Sequence, residues 1–416
     1  MLLYTSAKNR VIWMRYLPLT TLLLAITFST YVILQGSGRV PAHPMDQGFA
    51  SVDLSISKSS GTWRFEYPKL SHAGGISASL TVGLYKLLLP IDPEALNWHV
   101  RTLGATLFLT SAALLFWQCL PTPTLRTAAF LLVATSGYQF IEPTSELIAG
   151  SYIAIFFTLM TRQGQDWSPA LALALFGLTK VELGLASTVV ALVWAASAAG
   201  RNAKILRFGW YTFFVACLVA PALYLYGSAG VSSGRAFDSF IHHYDYFLSA
   251  NQNATQRYEQ PTVAASALAE KWLPHTNTMT EVITNFPFRY LRFVALSTIE
   301  SAVSVAYCLK GLIVILAMTC WYRVKIDVRQ RQLVQLTILV AVLSLLPALA
   351  LAFVHIRYVA RFFPEIVLLA VLYARQLSAL GRDESFNGYL LFLALGATVA
   401  LQIFLMPDVI SNSHGF

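Results

Sequence analysis

The chain has 416 residues, of which 56% are hydrophobic and 12% charged, with a net charge of +9 and a mean hydropathy of +0.59. Soluble domains carry about a quarter charged residues, so this chain has too little polar surface to cover a water-soluble globule, and a bilayer is the solvent that suits it. Its basic residues sit in short clusters between apolar runs rather than along one polar face, which argues against nucleic acid as a partner.

The N-terminus, MLLYTSAKNRVIWMRY, has basic residues ahead of an apolar run, as a signal peptide does. That run continues for about 18 residues without a small-x-small cleavage site, which predicts a retained first helix. Apolar runs predict eleven spans in all: 16–35, 102–120, 127–141, 147–161, 168–180, 183–198, 208–227, 298–320, 333–354, 362–376 and 388–406. The pair within 168–198 is short enough to be one tilted or broken helix. Cys119, Cys217, Cys308 and Cys320 fall in apolar stretches and read as small buried hydrophobes, with neither metal-like nor disulfide-like spacing. The expected fold is an all-α polytopic bundle forming a single integral-membrane domain, 1–416.

Orientation follows from lysine and arginine in the short loops. A cytoplasmic N-terminus places Lys8, Arg10, Arg15, Arg126, Arg162, Arg201, Lys204, Arg207, Arg323, Lys325, Arg329, Arg331, Arg375 and Arg382 inside, and leaves only Arg357 and Arg361 in short outer loops. Two polar segments, 36–101 and 228–297, then face the extracytoplasmic side.

The first of these segments includes HPMDQGFASVDLSISKSSGTWRFEYPKLSHAGG (43–75), which mixes acidic, basic and aromatic side chains. Residues 76–90, ISASLTVGLYKLLLP, have helical apolar spacing and predict an interfacial helix lying along the membrane. Asp46 reads from its residues alone as a solvated loop aspartate, a helix cap or a functional carboxylate. Asp53 lies on the same face if 46–55 is helical.

Further along, Glu142 and Glu146 (FIEPTSELIAG) occupy a short outer loop, where they either border a site or open a helix. Lys180 and Glu182 (LTKVELG) lie near the outer end of a short span, where Lys180 joins a site or pairs with a carboxylate. Lys310 lies near the middle of another span. In the second polar segment, FDSFIHHYDYFLSANQ places Asp238, His242, His243 and Asp245 among aromatics that suit either sugar stacking or an interfacial belt. Adjacent histidines are poorly spaced as two metal ligands on one helical face. In HIRYVARFFPEI, Arg357 and Arg361 are four apart, so both project from one face of a helix, toward either phosphate or lipid head groups.

Several of these patches, taken together, resemble a known layout. MDQGF with Asp46, GTWRF, EYPKL with Pro68 and Lys69, the helix ending LYKLLLP, NWHVRTLGATL with Arg101, ALFGLTKVELGL and ARFFPEIVLLAVL are similar to elements of polyprenyl-phosphate-dependent glycosyltransferases of the GT-C class, such as aminoarabinose and protein mannosyltransferases. Two positions depart from the pattern: Gln47 stands where many relatives have a second acid, and the Lys-Pro order appears as Pro68-Lys69.

The resemblance implies a GT-C-like bundle, in a membrane such as the bacterial inner membrane, that takes a sugar from a polyprenyl-phosphate donor. The acceptor would be a glycan, lipid or protein on the extracytoplasmic face, with membrane lipids as neighbours. Asp46 would serve as the base, with Asp53 in reserve, and Lys69, Arg357, Arg361 and Lys180 would hold the donor phosphate. Glu66, Glu142, Glu146 and His242 would border the acceptor. No metal ligand is assigned and no cofactor is required, although a divalent cation stays compatible with the chemistry. Two other readings stand beside this one: a lipid-linked sugar flippase or transporter, and an envelope polysaccharide polymerase or ligase. No internal repeat, common in transporters, is visible.

Overall fold

The computed structural model describes residues 57–59, 62–64, 75–88, 96–138, 144–162, 167–226, 235–248, 265–321, 328–351, 356–380, 396–398 and 400. Spans 16–35 and most of 388–406 lie outside these residues. Apart from a short antiparallel ribbon, β1 (Ser57–Ser59) with β2 (Thr62–Arg64), the described elements are helices.

In chain order they are α1 (Gly75–Leu88), α2 (Leu96–Cys119), α3 (Pro123–Ala134), α4 (Thr144–Thr161), α5 (Trp167–Gly177), α6 (Val181–Ala196), α7 (Arg201–Tyr226) and α8 (Arg235–Leu248). Then come α9 (Ala265–Trp272), α10 (Met279–Asn285), α11 (Pro287–Leu309), α12 (Leu312–Trp321), α13 (Val328–Leu351), α14 (Ile356–Ala360) and α15 (Phe363–Leu380).

Among the described residues five helices are long and apolar enough to cross a membrane: His99–Cys119 within α2, α4, α7, α11 and Gln330–Leu351 within α13. Their outward faces are apolar as well. Phe213 and Tyr224 on α7, Leu291 and Ile299 on α11, and Ile338 and Val342 on α13 are all exposed. In water such faces would be an aggregation hazard, whereas against acyl chains they are the expected surface. The chain fits a multi-pass helical membrane protein.

Local signals account for several boundaries. Thr122 caps α3, its Oγ1 accepting from the Leu125 amide at 3.3 Å, and Pro123 takes the first helical position, where no amide donor is needed. Thr278 and Glu281 form a reciprocal capping box on α10. The predicted 168–198 region is two helices, α5 and α6, folded against each other with Gly177 against Ser187. The single span expected over 298–320 is instead broken: α11 ends at Leu309, Lys310 adopts φ 47°, and α12 starts at Leu312. The Lys310 ammonium lies 5.5 Å from the Tyr307 ring centroid.

The helix expected over 76–90 is present as α1, but its burial runs end to end rather than face to face. Residues 75–79 are buried and Leu84, Leu87 and Leu88 are exposed. The reason is docking: the Ser77 amide donates to the Leu178 carbonyl at 3.2 Å, and Ser77 Oγ donates to the Leu175 carbonyl at 2.6 Å. Gly75 has φ +59°, and a Cβ there would stand 2.5 Å from the Thr179 carbonyl oxygen. Only glycine lets α1 close onto the α5–α6 turn in this way.

Helices α2 and α4 run side by side in the same direction, with Gly104 against Thr144 and Leu147, and Gly150 against Phe108. The main core fills the space between them and α5, α6, α13 and α15, with Phe108, Phe156, Phe176, Trp194 and Phe363 among its buried side chains. A second, smaller core joins α8, α9, α10 and the start of α11 around Phe240, Tyr244, Leu273 and Phe293.

Candidate functional site

The start of α4, the α5–α6 turn and α14 meet at one end of the bundle, and each brings a charged side chain. Glu146 lies in the first turn of α4 and is 1% exposed. Lys180 stands at the N-cap of α6 in extended backbone, and its side chain does not cap the helix. Arg361 occupies the turn after α14 and is fully buried. Packing explains the approach of Arg361: a Cβ at Gly150 would lie 2.7 Å from the Arg361 carbonyl oxygen, so the glycine admits that turn against α4.

Lys180 Nζ donates to Glu146 Oε1, and Arg361 Nε lies 3.0 Å from Glu146 Oε2. The second contact is close but poorly aligned. Neither Glu146 Oε2 nor Arg361 Nε, Nη1 or Nη2 has a hydrogen-bond partner among the described residues. Around the Tyr358 ring gather three cations: Lys180 at 5.9 Å, Arg357 at 4.9 Å and Arg361 at 5.1 Å from its centroid. Arg357 Nη2 also donates to the Tyr358 hydroxyl at 3.1 Å. Such ring faces hold cations by their quadrupole, and here one tyrosine orients all three.

Two cations therefore touch one buried carboxylate, and a third shares the tyrosine beside them. A buried charge is costly unless paired, and the pairing here is incomplete on the guanidinium side. The arrangement is chemically suited to an anion with several acceptor oxygens, which a guanidinium fork can grip through parallel hydrogen bonds.

Of the residues singled out from the sequence, Lys180, Arg357, Arg361 and Glu146 are brought together. Arg357 and Arg361 meet at the tyrosine although α14 is a single turn that ends before Arg361. Glu146 opens α4, as its helix-start reading expects, and is ion-paired with Lys180 and Arg361. Arg101 is buried in α2 one turn before Gly104, which itself touches the start of α4. Asp46, Asp53, Glu66, Lys69 and Glu142 lie outside the described residues.

In the second polar segment the buried histidine is His243 rather than His242. Its Nδ1 lies 2.6 Å from the Ser239 carbonyl, and its pKa is lowered to about 4, chiefly by burial and further by the nearby charges of Arg357 and His242. The aromatics of this segment pack mainly on one another: Phe240 and Phe293 meet edge to face with centroids 4.8 Å apart, and Phe240 stacks on Tyr244. Among the described residues these rings form a small core.

A second buried carboxylate, Glu365 in the first turn of α15, was not singled out from the sequence. Neither of its oxygens has a hydrogen-bond partner outside its own residue among the described residues. The signal was present, since an acid inside an apolar run is a flag in its own right. Among the described residues no group of three or more His, Cys, Asp or Glu side chains is placed to hold a metal ion. The chain matches no protein-family model and no curated protein sequence.

Proposed function

We propose that the chain is a membrane glycosyltransferase of the GT-C class that moves a sugar from a polyprenyl-phosphate donor to an acceptor hydroxyl. In this reading it has about eleven spans and a cytoplasmic N-terminus, and the cluster around Arg361 faces the extracytoplasmic side. The observation that carries the reading is the set of three cations around Glu146 and Tyr358, with the buried Arg361 Nη1 and Nη2 donors unengaged among the described residues. A phosphate joined to a lipid fits that position, because the cluster lies at one end of a bundle whose outer faces are apolar.

The chemistry is a single inverting displacement. The acceptor oxygen forms a bond to the anomeric carbon as the bond from that carbon to the phosphate oxygen breaks. The electron pair leaves with the polyprenyl phosphate, and the acceptor proton passes to a carboxylate, assigned to Asp46. Arg361, Arg357 and Lys180 stabilise the charge that grows on the departing phosphate, where fixed donors act with most effect. The acceptor is a glycan, lipid or protein.

A second reading, a flippase or transporter of the lipid-linked sugar, draws on the helix break at Lys310, since discontinuous helices recur in transporters. The two readings separate in one experiment. Purified protein in lipid is given labelled polyprenyl-phosphate sugars, and release of polyprenyl phosphate is followed for wild type, Arg361→Lys and Asp46→Asn. Transfer by wild type is expected, with a loss of about 10²–10³-fold for Arg361→Lys and about 10²–10⁴-fold for Asp46→Asn. Lipid movement between leaflets without turnover of any donor would instead favour the flippase.

A further inference from the structure

Glu146 occupies the position that makes a phosphate site at this cluster hard to enter. Its carboxylate touches both Lys180 and Arg361, the cations a phosphate would need. The two contacts differ in kind. Lys180 is hydrogen-bonded to Oε1, whereas Oε2 lies 3.0 Å from Arg361 Nε without hydrogen-bond alignment, and the Arg361 fork is not hydrogen-bonded among the described residues. A carboxylate serving only to lock a buried arginine is expected to take the parallel two-bond geometry, which is the stronger one. This one neutralises the arginine while leaving its donors to something else.

The partners also belong to three separate pieces of the fold. Glu146 is on α4, Lys180 on the α5–α6 turn and Arg361 on the turn after α14. None is tied to another by local backbone. Without Glu146, Lys180 and Arg361 would be left in a dry interior beside Arg357, all of one sign, and such a cluster would drive its own members apart.

We propose that Glu146 is an exchangeable counter-ion. It holds Lys180 and Arg361 in position when no phosphate is bound, and it competes with the phosphate group for them when one is. The inference rests on the reading of this cluster as a phosphate site. It also has a direction along the reaction. The donor is a phosphodiester with one negative charge, while the departing polyprenyl phosphate is a monoester with a charge of about −1.5 to −2 at neutral pH. A fixed carboxylate repels the second more than the first, so Glu146 weakens product retention more than donor binding and acts as a positioning residue that speeds release.

The test is binding of geranyl monophosphate, and separately of inorganic phosphate, to the full-length protein purified in detergent, followed calorimetrically for wild type, Glu146→Gln and Glu146→Asp. Like charges held in contact repel, so Glu146→Gln is expected to bind geranyl monophosphate about tenfold or more tightly than wild type. In turnover it is expected to lower both KM and kcat. A merely structural role predicts the opposite, weaker binding from a disordered cluster.

If the glutamine variant does not fold, Glu146→Asp keeps the charge but withdraws it by one methylene, and a smaller gain in affinity is expected. A gain for geranyl monophosphate alone assigns the site to a lipid-borne phosphate, and an equal gain for inorganic phosphate assigns it to the phosphate group by itself. Wild-type binding with no gain in either folded variant overturns the counter-ion role and leaves the phosphate site standing. Binding by none of the three proteins overturns the phosphate site, and the counter-ion role with it.

Discussion

At one end of the bundle Glu146 meets Lys180 and Arg361, and in the α8–α10 unit Asp245 meets Lys271 and Trp272. In composition the two are alike, an acid with a lysine and one further donor. Asp245 Oδ1 accepts from Trp272 Nε1 at 2.7 Å and from Lys271 Nζ at 3.3 Å, and the lysine side chain is 53% exposed. Water supplies whatever the lysine lacks there, and the aspartate ties α8 to α9 across an aromatic core. Around Glu146 water is excluded and the arginine's outer donors find no partner among the described residues. A pair that satisfies its own donors is a fastening. A buried pair that leaves strong donors unengaged is, on the function proposed above, the place for the donor phosphate.

The contrast breaks most sharply at Arg361. Arg361→Ala strips a fully buried carboxylate of one of its two cations, and a loss of about 3–5 kcal/mol is expected, as for other buried pairs cut on one side. Thermal or denaturant unfolding in detergent measures it, and a loss no larger than that of a surface pair would remove the distinction drawn here.

His243 links the two regions, since it sits on α8 and feels Arg357. Its pKa in the fold, about 4, is below that of an unfolded histidine, so between the two values the unfolded chain binds more protons. Stability from this group is therefore intact above about pH 6.5 and falls as the pH drops toward 4, by up to about 3 kcal/mol. The unfolding midpoint of wild type should drop over that window, and that of His243→Asn should drop less. Parallel curves would remove His243 from the account.

Asp245→Ala is expected to cost about 1.5–3 kcal/mol, the range for hydrogen bonds to a charged group, and to leave phosphate binding unaltered. Hydrogen exchange should rise across α8 and α9 alone. If geranyl phosphate binding fell as well, the two regions would not be separable. Thr278→Ala removes one side of the α10 capping box, and a loss of about 1 kcal/mol is expected, read as fraying of α10 and nothing at Arg361.

Much of this was legible in the residues. The apolar runs at 147–161, 208–227 and 333–354 are helices close to those bounds, because hydropathy over some twenty residues is a local sum that packing does not reverse. The break at Lys310 was not, since the surrounding run is apolar on both sides and the left-handed backbone at that residue is a tertiary outcome. His242 and His243 are indistinguishable as letters, and only the packing of α8 buries the second. The burial of α1 at one end instead of along one face also lay beyond reach, because it depends on Ser77 finding the Leu175 and Leu178 carbonyls about a hundred residues away in sequence.

The sequence by itself determined that this chain suits a bilayer, roughly where its helices run, and that Lys180, Arg357 and Arg361 stand beside apolar runs where a charge needs a reason. Tertiary structure alone decided that these three share one tyrosine and that Glu146, 34 residues from Lys180 and much further from Arg361, pairs with both of those two. Hydropathy accumulates along the chain, whereas an ion pair depends on a few ångströms across space, and at this site glycines 75 and 150 set those ångströms by letting backbones close where any side chain would hold them apart.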